Sequence, residues 1–179
     1  MSLRANATLD AFINRIINNS EIMKLMKLPA INKSDSKKII NEKRKRLINN
    51  FITKTSQVPY DLGTSFKDVE IGGVKYSGFG KIRITVSLAQ GIKLNHDLFG
   101  NPQVDINIYY DNTEMDNIFK ILDLISDEFS GQDIEVEAEN DKSFLRNIRN
   151  EGITAQTAII NNYERMGIRF SFFATVYKN

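Results

Sequence analysis

Strict two-residue alternation of apolar and polar residues constrains the fold of this chain more than any other feature. Apolar residues occupy alternate positions from Ile82 to Leu88 and again from Val104 to Tyr110. The stretch from Ile168 to Val176 repeats the pattern. A period of two is that of a strand with one buried and one exposed face. We therefore predict a sheet that is built from the part of the chain after Pro59.

Helical spacing dominates the first third of the sequence. The apolar residues that recur at the spacing of one helix face are Leu9, Phe12, Ile13, Ile16 and Ile17. This is the pattern of an amphipathic helix. Two further helices are predicted, one after Ser20 and one after Ser34 or Ser36, because serine is a preferred N-terminal cap.

The remaining elements are shorter. A hairpin is predicted around Gly72-Gly73, and a helix opens near Thr113 in the manner of a capping box and ends at Gly131. A strand follows at 134–138, a helical turn or loop at 142–150, and a terminal pair of strands at 154–160 and 168–177.

This order of elements predicts an α+β fold. Strands cluster around a single helix, which indicates a mainly antiparallel sheet packed by one central helix, with an N-terminal helical segment. Residues 1–55 form that segment and residues 60–179 form the α+β domain. We expect the two parts to make one compact unit.

Composition excludes several classes of protein. The 179 residues include no cysteine, so disulfide scaffolds, thiolate zinc sites and cysteine nucleophiles are excluded. A net charge of +2 is too balanced to indicate nucleic-acid binding by itself. No apolar run approaches the ~20 residues that span a bilayer, and no signal peptide is visible. We expect a soluble protein, made in the cytoplasm, with no membrane partner.

The chain offers little for catalysis. His96 is the one histidine and falls in a predicted loop, where a surface residue is the usual case. The stretch Gly78-Phe79-Gly80-Lys81 lacks the serine or threonine and the helix that a phosphate loop requires. We therefore predict that the protein is not an enzyme and has no cofactor and no metal.

An acidic series marks one face of the strand that follows Gly131. Its members are Asp133, Glu135, Glu137, Glu139 and Asp141. A solvated strand face is the favoured interpretation, because charged outer faces are usual. Two alternatives stay open: a metal-dependent hydrolase, which needs ligands from other segments, and an acidic wall that repels DNA phosphates.

A basic run lies in the third predicted helix. Its cations are Lys37, Lys38, Lys43, Arg44, Lys45 and Arg46. Such a face can contact phosphates, but aromatic side chains do not interleave with the cations. A solvated face or a subunit contact is favoured over a nucleic-acid site.

Three aromatic side chains fall on nominally exposed strand faces. They are Tyr109, Phe173 and Tyr177. Aromatic residues on an exposed face indicate a partner surface. The alternative is that helices from the N-terminal third cover them.

Several stretches together resemble the tail-terminator and neck, or head–tail completion, proteins of long-tailed bacteriophages. The stretches in the middle and C-terminal parts are 80–86, 102–110 with the helix 115–129, and 167–173. The N-terminal stretch Phe12–Asn19, followed by Leu25–Leu28, is similar to the opening of such neck proteins. The likeness covers most of the chain and rests on patterned hydrophobicity and element order.

The resemblance implies a virion protein that forms a ring, commonly a homohexamer. Such a ring caps the tail tube or joins it to the head–tail connector, and DNA passes through it. A ring requires heterologous contacts. We expect one at the sheet edge 168–177, with an interface formed by Tyr109, Ile168, Phe170, Phe173 and Tyr177. The acidic residues Asp133, Glu135, Glu137 and Glu139 are then expected to face the lumen.

One alternative function stays open. The basic run 37–46 predicts a nucleic-acid-binding accessory protein in place of a ring subunit.

Overall fold

The fold is described from a computed structural model. It describes residues 3–59, 62, 69–71, 74–76, 81–89, 97–98, 101–138, 141–160 and 162–177. The strands are β1 (Leu3–Arg4), β2 (Ile52–Thr53), β3 (Val69–Ile71), β4 (Val74–Tyr76), β5 (Ile82–Leu88), β6 (Asp97–Leu98), β7 (Gln103–Asp111), β8 (Ile134–Ala138), β9 (Asp141–Ile160) and β10 (Tyr163–Tyr177). The helices are α1 (Ala5–Asn18), α2 (Ser20–Leu25), α3 (Lys37–Asn50) and α4 (Met115–Phe129), with a 3₁₀ turn at Asn112–Glu114. His96, Gly78, Gly80 and Glu139 lie outside the described residues.

The predicted α+β class is confirmed. The prediction of a mainly antiparallel sheet is wrong, because the sheet is mixed. Its six strands have the order β2-β5-β7-β10-β9-β8. β2 runs parallel to β5, with Ile52 beside Ile84, and the other neighbours in this sheet pair antiparallel. The mixture arises because α3 carries the chain back to the sheet edge, where β2 follows it directly.

The prediction of one central helix is also wrong. Phe12 of α1 stacks on Phe129 of α4, with ring centroids 4.6 Å apart. The ring of Phe12 also lies 6.2 Å from that of Phe170 and 6.0 Å from that of Phe172, both on β10. Two helices therefore share the same face of the sheet, because the apolar stripe of α1 needs the same burial as that of α4.

The strand β5 is more deeply buried than its alternating pattern predicts. Ile84 and Val86 face the helices, as expected, but Arg83 and Thr85 on the opposite face are only 2% and 0% exposed. The guanidinium carbon of Arg83 lies 4.5 Å from the centroid of the Phe51 ring, which follows α3. We call the sheet face opposite α1 and α4 the outer face. At Arg83, the N-terminal part of the chain covers the outer face through Phe51.

Several local predictions are refined by the caps and turns. Asn19 caps α2, since its Oδ1 accepts from the backbone N–H of Glu21 and of Ile22 at 3.1 Å. Ser36, one of the two predicted candidates, caps α3 at 3.4 Å from the nitrogen of Ile39. In place of a capping box at Thr113, Asp111 caps the 3₁₀ turn through the backbone N–H of Thr113 at 3.0 Å. The expected turn or loop at 142–150 is part of the long strand β9.

Gly167 lets three central strands approach closely. It lies beside Asn107 of β7 and Thr154 of β9. A Cβ atom at this position would meet the Asn107 Oδ1 at 2.6 Å and the Thr154 Oγ1 at 2.9 Å. Close packing of these three strands therefore requires a residue without a side chain at position 167.

An ion pair between a buried carboxylate and an exposed lysine links the chain after α2 to the start of α4. Glu114, whose side chain is 6% exposed, accepts from the Lys27 Nζ at 2.6 Å and from the Asn117 Nδ2 at 2.8 Å. Burial acts to raise the pKa of Glu114, but the hydrogen bonds from Lys27 and Asn117 outweigh it and hold the pKa below its ordinary value. The carboxylate form is therefore favoured in the folded chain.

The lowered pKa of Glu114 predicts how the stability of the protein depends on pH. A depressed folded-state pKa stabilises the protein above the ordinary value of 4.5, and the stabilisation is lost as the pH falls through the folded pKa. The stability difference between wild type and Glu114→Gln should be constant at neutral pH and shrink in acid. Urea titrations from about pH 7 to about pH 3 measure it. A difference between wild type and Glu114→Gln that stays constant down to about pH 3 contradicts the assignment.

Candidate assembly surface

Among the described residues, one side of β9 has no strand beside it over most of its length. β9 has 20 residues and pairs with β10 from end to end, but β8 covers only Asp141–Leu145. Between residues 149 and 160, no strand of the described chain pairs with the other side. Every side chain in this range is exposed except Ile159, which is half-buried. We call residues 149–160 the β9 edge.

The β9 edge has an unusual composition for an exposed strand. From Gly152 to Ile160 it contains no charged residue and no proline. Ile153 is 54% exposed and Ile160 is 52% exposed. Natural proteins usually protect a free edge with lysine, proline or a covering element, because its unpaired N–H and C=O groups recruit other strands. The charge and proline protections are absent from this stretch.

The backbone of the β9 edge is not uniformly regular. The β9–β10 ladder shifts register at four places, between Tyr163 and Glu164, Arg165 and Gly167, Arg169 and Phe170, and Ser171 and Phe173. Bulges of this kind increase the local twist and limit continuous pairing. Ile153 and Thr154 form one regular stretch, opposite Ile168 and Gly167. A partner strand can therefore pair over short segments and must follow the twist.

The predicted open edge at 168–177 is wrong over its first part. From Tyr163 to Ser171, β10 pairs with β7 on one side and with β9 on the other. Ile168 and Phe170 are 1% and 0% exposed, so neither is available to a partner. The physical reason is that β9 adds to the sheet outside β10, which moves the free edge one strand outward.

The aromatic residues predicted on the outer face divide into two kinds. Tyr109 is buried, at 1% exposed, and lies beside Arg83, which stacks on Phe51. Its partner-surface role is therefore wrong, and coverage by the N-terminal third is the better account. Phe173 is 48% exposed and lies opposite Arg146 on β9. The side chain of Tyr177 lies outside the described residues.

Near Phe173, the outer face carries a second exposed patch. The guanidinium carbon of Arg146 lies 5.2 Å from the centroid of the half-buried Phe144 ring. We call Phe144, Arg146 and Phe173 the Phe173 patch. It lies at the opposite end of the β9–β10 ladder from Ile160.

The acidic strand lies at the outermost position of the sheet. Asp133 and Glu135 are exposed, and the side chains of Glu137 and Asp141 lie outside the described residues. Asp133 accepts from the Arg146 Nη1 at 2.8 Å and from the backbone N–H of Asn147 at 3.1 Å. Within the described ranges, no group of three or more His, Asp or Glu side chains converges as a metal site would require.

The basic helix does not present all of its cations to solvent. Lys43 is 6% exposed, and its Nζ donates to the Asp35 Oδ2 at 2.7 Å and to the Ala30 carbonyl at 2.8 Å. The Lys43 hydrogen bond is the largest cause that holds the pKa of Asp35 below its ordinary value. Arg44 is half-buried. The cations that remain exposed are Lys37, Lys38, Lys45 and Arg46.

Comparison with known proteins assigns no family to the chain. No protein-family model and no curated protein matches the sequence. Among the described helices, none is long and apolar enough to cross a membrane. Any functional conclusion therefore depends on the surfaces described above.

Proposed function

We propose that this chain is a structural subunit that binds copies of itself through the β9 edge. In this proposal the copies form a ring, with six subunits as the expected number, in the neck or at the tail terminus of a long-tailed bacteriophage. The ring caps the tail tube or joins it to the head–tail connector and lets DNA pass. The observation that carries the proposal is the exposed β9 edge, which has no charged residue from Gly152 to Ile160.

Pairing at the β9 edge is energetically favourable for a second copy. A neighbouring strand satisfies the N–H and C=O groups of the edge and shields exposed apolar side chains from water. Ile153 and Ile160 are the large apolar side chains on this edge that are more than half exposed. The part of the edge from Gly152 to Ile160 has no charged residue, so it imposes no like-charge repulsion between copies.

A ring also requires that two different patches meet at each contact. Heterologous contacts place one patch of a subunit against another patch of the next, and the rotation closes the ring. The β9 edge occupies residues 149–160 of the β9–β10 ladder, and the Phe173 patch lies beyond residue 149, where Phe173 pairs with Arg146. They supply two distinct surfaces for this purpose, and Phe173 fits the role of a partially desolvated aromatic anchor.

The acidic strand gives the ring a suitable lining. Asp133 and Glu135 are exposed at the border of the sheet, next to the strand that carries the β9 edge. Carboxylates that face a channel repel DNA phosphates and so reduce adhesion during passage. The proposal therefore places β8 towards the lumen and requires no catalytic residue.

The proposal is tested by introducing one charge into the β9 edge and measuring the mass of the particle in solution. Ile153→Lys places a charge in the proposed contact, and we expect the particle to dissociate towards the 20.4 kDa monomer. A desolvated charge without a partner costs enough to weaken association by about tenfold or more. Light scattering over a dilution series measures the mass, and electron microscopy identifies rings.

Phe119→Lys is the matched control. Phe119 is 49% exposed on α4, and Ile153 is 54% exposed, so both variants exchange a similarly exposed apolar side chain for lysine. The control should keep the mass of the wild type. A wild-type protein that stays monomeric, even with tail-tube and connector proteins present, would refute the assembly role.

The nucleic-acid alternative is supported by one observation. Lys37, Lys38, Lys45 and Arg46 are exposed on a single helix. Lys43 no longer supports it, because this lysine is paired with Asp35 inside the fold. Neutralising the exposed cations, with Lys43 retained, tests this alternative. It would be favoured by salt-dependent DNA binding that is lost in this variant.

A further inference from the structure

A polar cavity opens on the outer face of the sheet and is used by no function proposed above. Its volume is about 350 Å³. Strands β5, β7, β9 and β10 all contribute to it, together with the segment after β2. The polar side chains that line it, apart from Asp105, are Ser56, Ser87, Asn107, Thr154, Arg165 and Arg169.

The charges in this cavity do not cancel. Asp105 is the carboxylate in the lining, and both of its oxygens are bound by Arg169, at 2.6 Å from Nε and 2.9 Å from Nη2. These hydrogen bonds raise the pKa of Arg169 above its ordinary value, so its guanidinium stays cationic. Among the described residues of the lining, Arg165 then remains as the uncompensated positive charge.

The guanidinium of Arg165 also contains a nitrogen that has no hydrogen-bond acceptor among the described residues. Arg165 lies between Tyr109 and Thr157 in the sheet, and neither of these neighbours is anionic. Its Nε is enclosed and has no hydrogen-bond acceptor in the part of the chain described here. Enclosed polar groups are almost always hydrogen-bonded, to protein, water or ion, so the guanidinium of Arg165 has hydrogen-bonding capacity that the described chain does not use.

We propose that this cavity is a binding site for a small oxyanion, a carboxylate or a phosphate, held by Arg165. The planar guanidinium matches two oxygens of such a group and binds them more strongly than it binds a neutral acceptor. Ser87 is only 8% exposed and places a hydroxyl at the same cavity. Ser56 and Asn107 add further hydrogen-bonding groups.

The oxyanion has two sources with the same chemistry. It is either a free anion or the carboxylate of an acidic side chain from a second copy. The second source is geometrically reasonable because Thr154 belongs both to the cavity lining and to the β9 edge. The oxyanion site itself does not depend on the proposed assembly.

The experiment uses inorganic phosphate as the probe, with chloride added to keep ionic strength constant. Calorimetry and thermal melts are measured for wild type, for Arg165→Gln and for Lys33→Gln. Lys33 is an exposed cation outside the cavity lining and outside the β9 edge, so it controls for loss of one positive charge. We expect phosphate to bind wild type and Lys33→Gln, and to bind Arg165→Gln about tenfold or more weakly.

Each outcome decides the proposal. Equal phosphate affinity in Arg165→Gln and wild type would overturn it, as would no heat from wild type with either phosphate or acetate. If Arg165→Gln does not fold, Arg165→Lys and Ser87→Ala replace it, and both should bind more weakly than wild type. Binding without a change in mass identifies a free anion, whereas binding that lowers the mass identifies a carboxylate from a second copy.

Discussion

Replacement of Phe12 by alanine should lower the free energy of unfolding by about 3–5 kcal/mol. Phe12 is fully buried and stacks on Phe129 at 4.6 Å between ring centroids. It also lies near Phe170 and Phe172, so its removal opens a cavity where α1, α4 and β10 meet. The cost combines lost apolar burial with the lost dispersion contacts of the rings that remain.

Urea unfolding followed by circular dichroism measures this effect. Phe119→Ala is the control, because Phe119 is 49% exposed and its truncation should change the stability by about 0.5 kcal/mol or less. A loss below about 1 kcal/mol in Phe12→Ala would mean that the four rings do not form the common core described here.

Substitution of Gly167 by alanine should cost about 1–3 kcal/mol, although it adds a single methyl group. The new Cβ would lie 2.6 Å from the Asn107 Oδ1 and 3.2 Å from the Ile106 carbonyl oxygen. The backbone oxygen belongs to β7 and cannot rotate away. The methyl group therefore has to displace the strand or force the Asn107 side chain into another rotamer.

A double-mutant cycle with Asn107→Ala tests this explanation. The shorter side chain removes the closest contact, so Gly167→Ala should cost less in the Asn107→Ala background than in wild type. The contact with the Ile106 oxygen remains, so the recovery should be incomplete. Additive costs of the two substitutions would show that the Asn107 contact is not the cause.

Much of the sheet follows from local sequence. The alternation in β7 predicts which residues are buried, and Val104, Ile106 and Ile108 are all fully buried. The same alternation places Ile168 and Phe170 on one face of β10, and the structure buries both, although the resemblance implied an interface role for them. Local periodicity succeeds here because a strand covered on one face must present its apolar residues to that face.

Strand order cannot be obtained in the same way. The sequence does not state which strand lies next to β10, because pairing joins segments that are far apart in the chain. β7 pairs with β10 across more than fifty residues, and β9 closes the other side. The prediction therefore placed the free edge on β10 when it belongs to β9.

The candidate site was partly predictable. Lys43 lies four residues before the buried Leu47, on the inner face of α3, and this spacing is a signal that it differs from its exposed neighbours. The uncharged run from Gly152 to Ile160 is likewise visible in the sequence. The pairing of Asp105 with Arg169 is not, because it depends on the register between β7 and β10.

The position of Phe12 has a consequence for how the chain is made. The ring depends on Phe129, Phe170 and Phe172, all from the last third of the sequence. At ribosomal speeds these residues follow Phe12 by on the order of ten seconds. Helix α1 therefore leaves the ribosome with its apolar stripe uncovered, and a nascent chain that stops before β10 lacks the strand on which the helix closes.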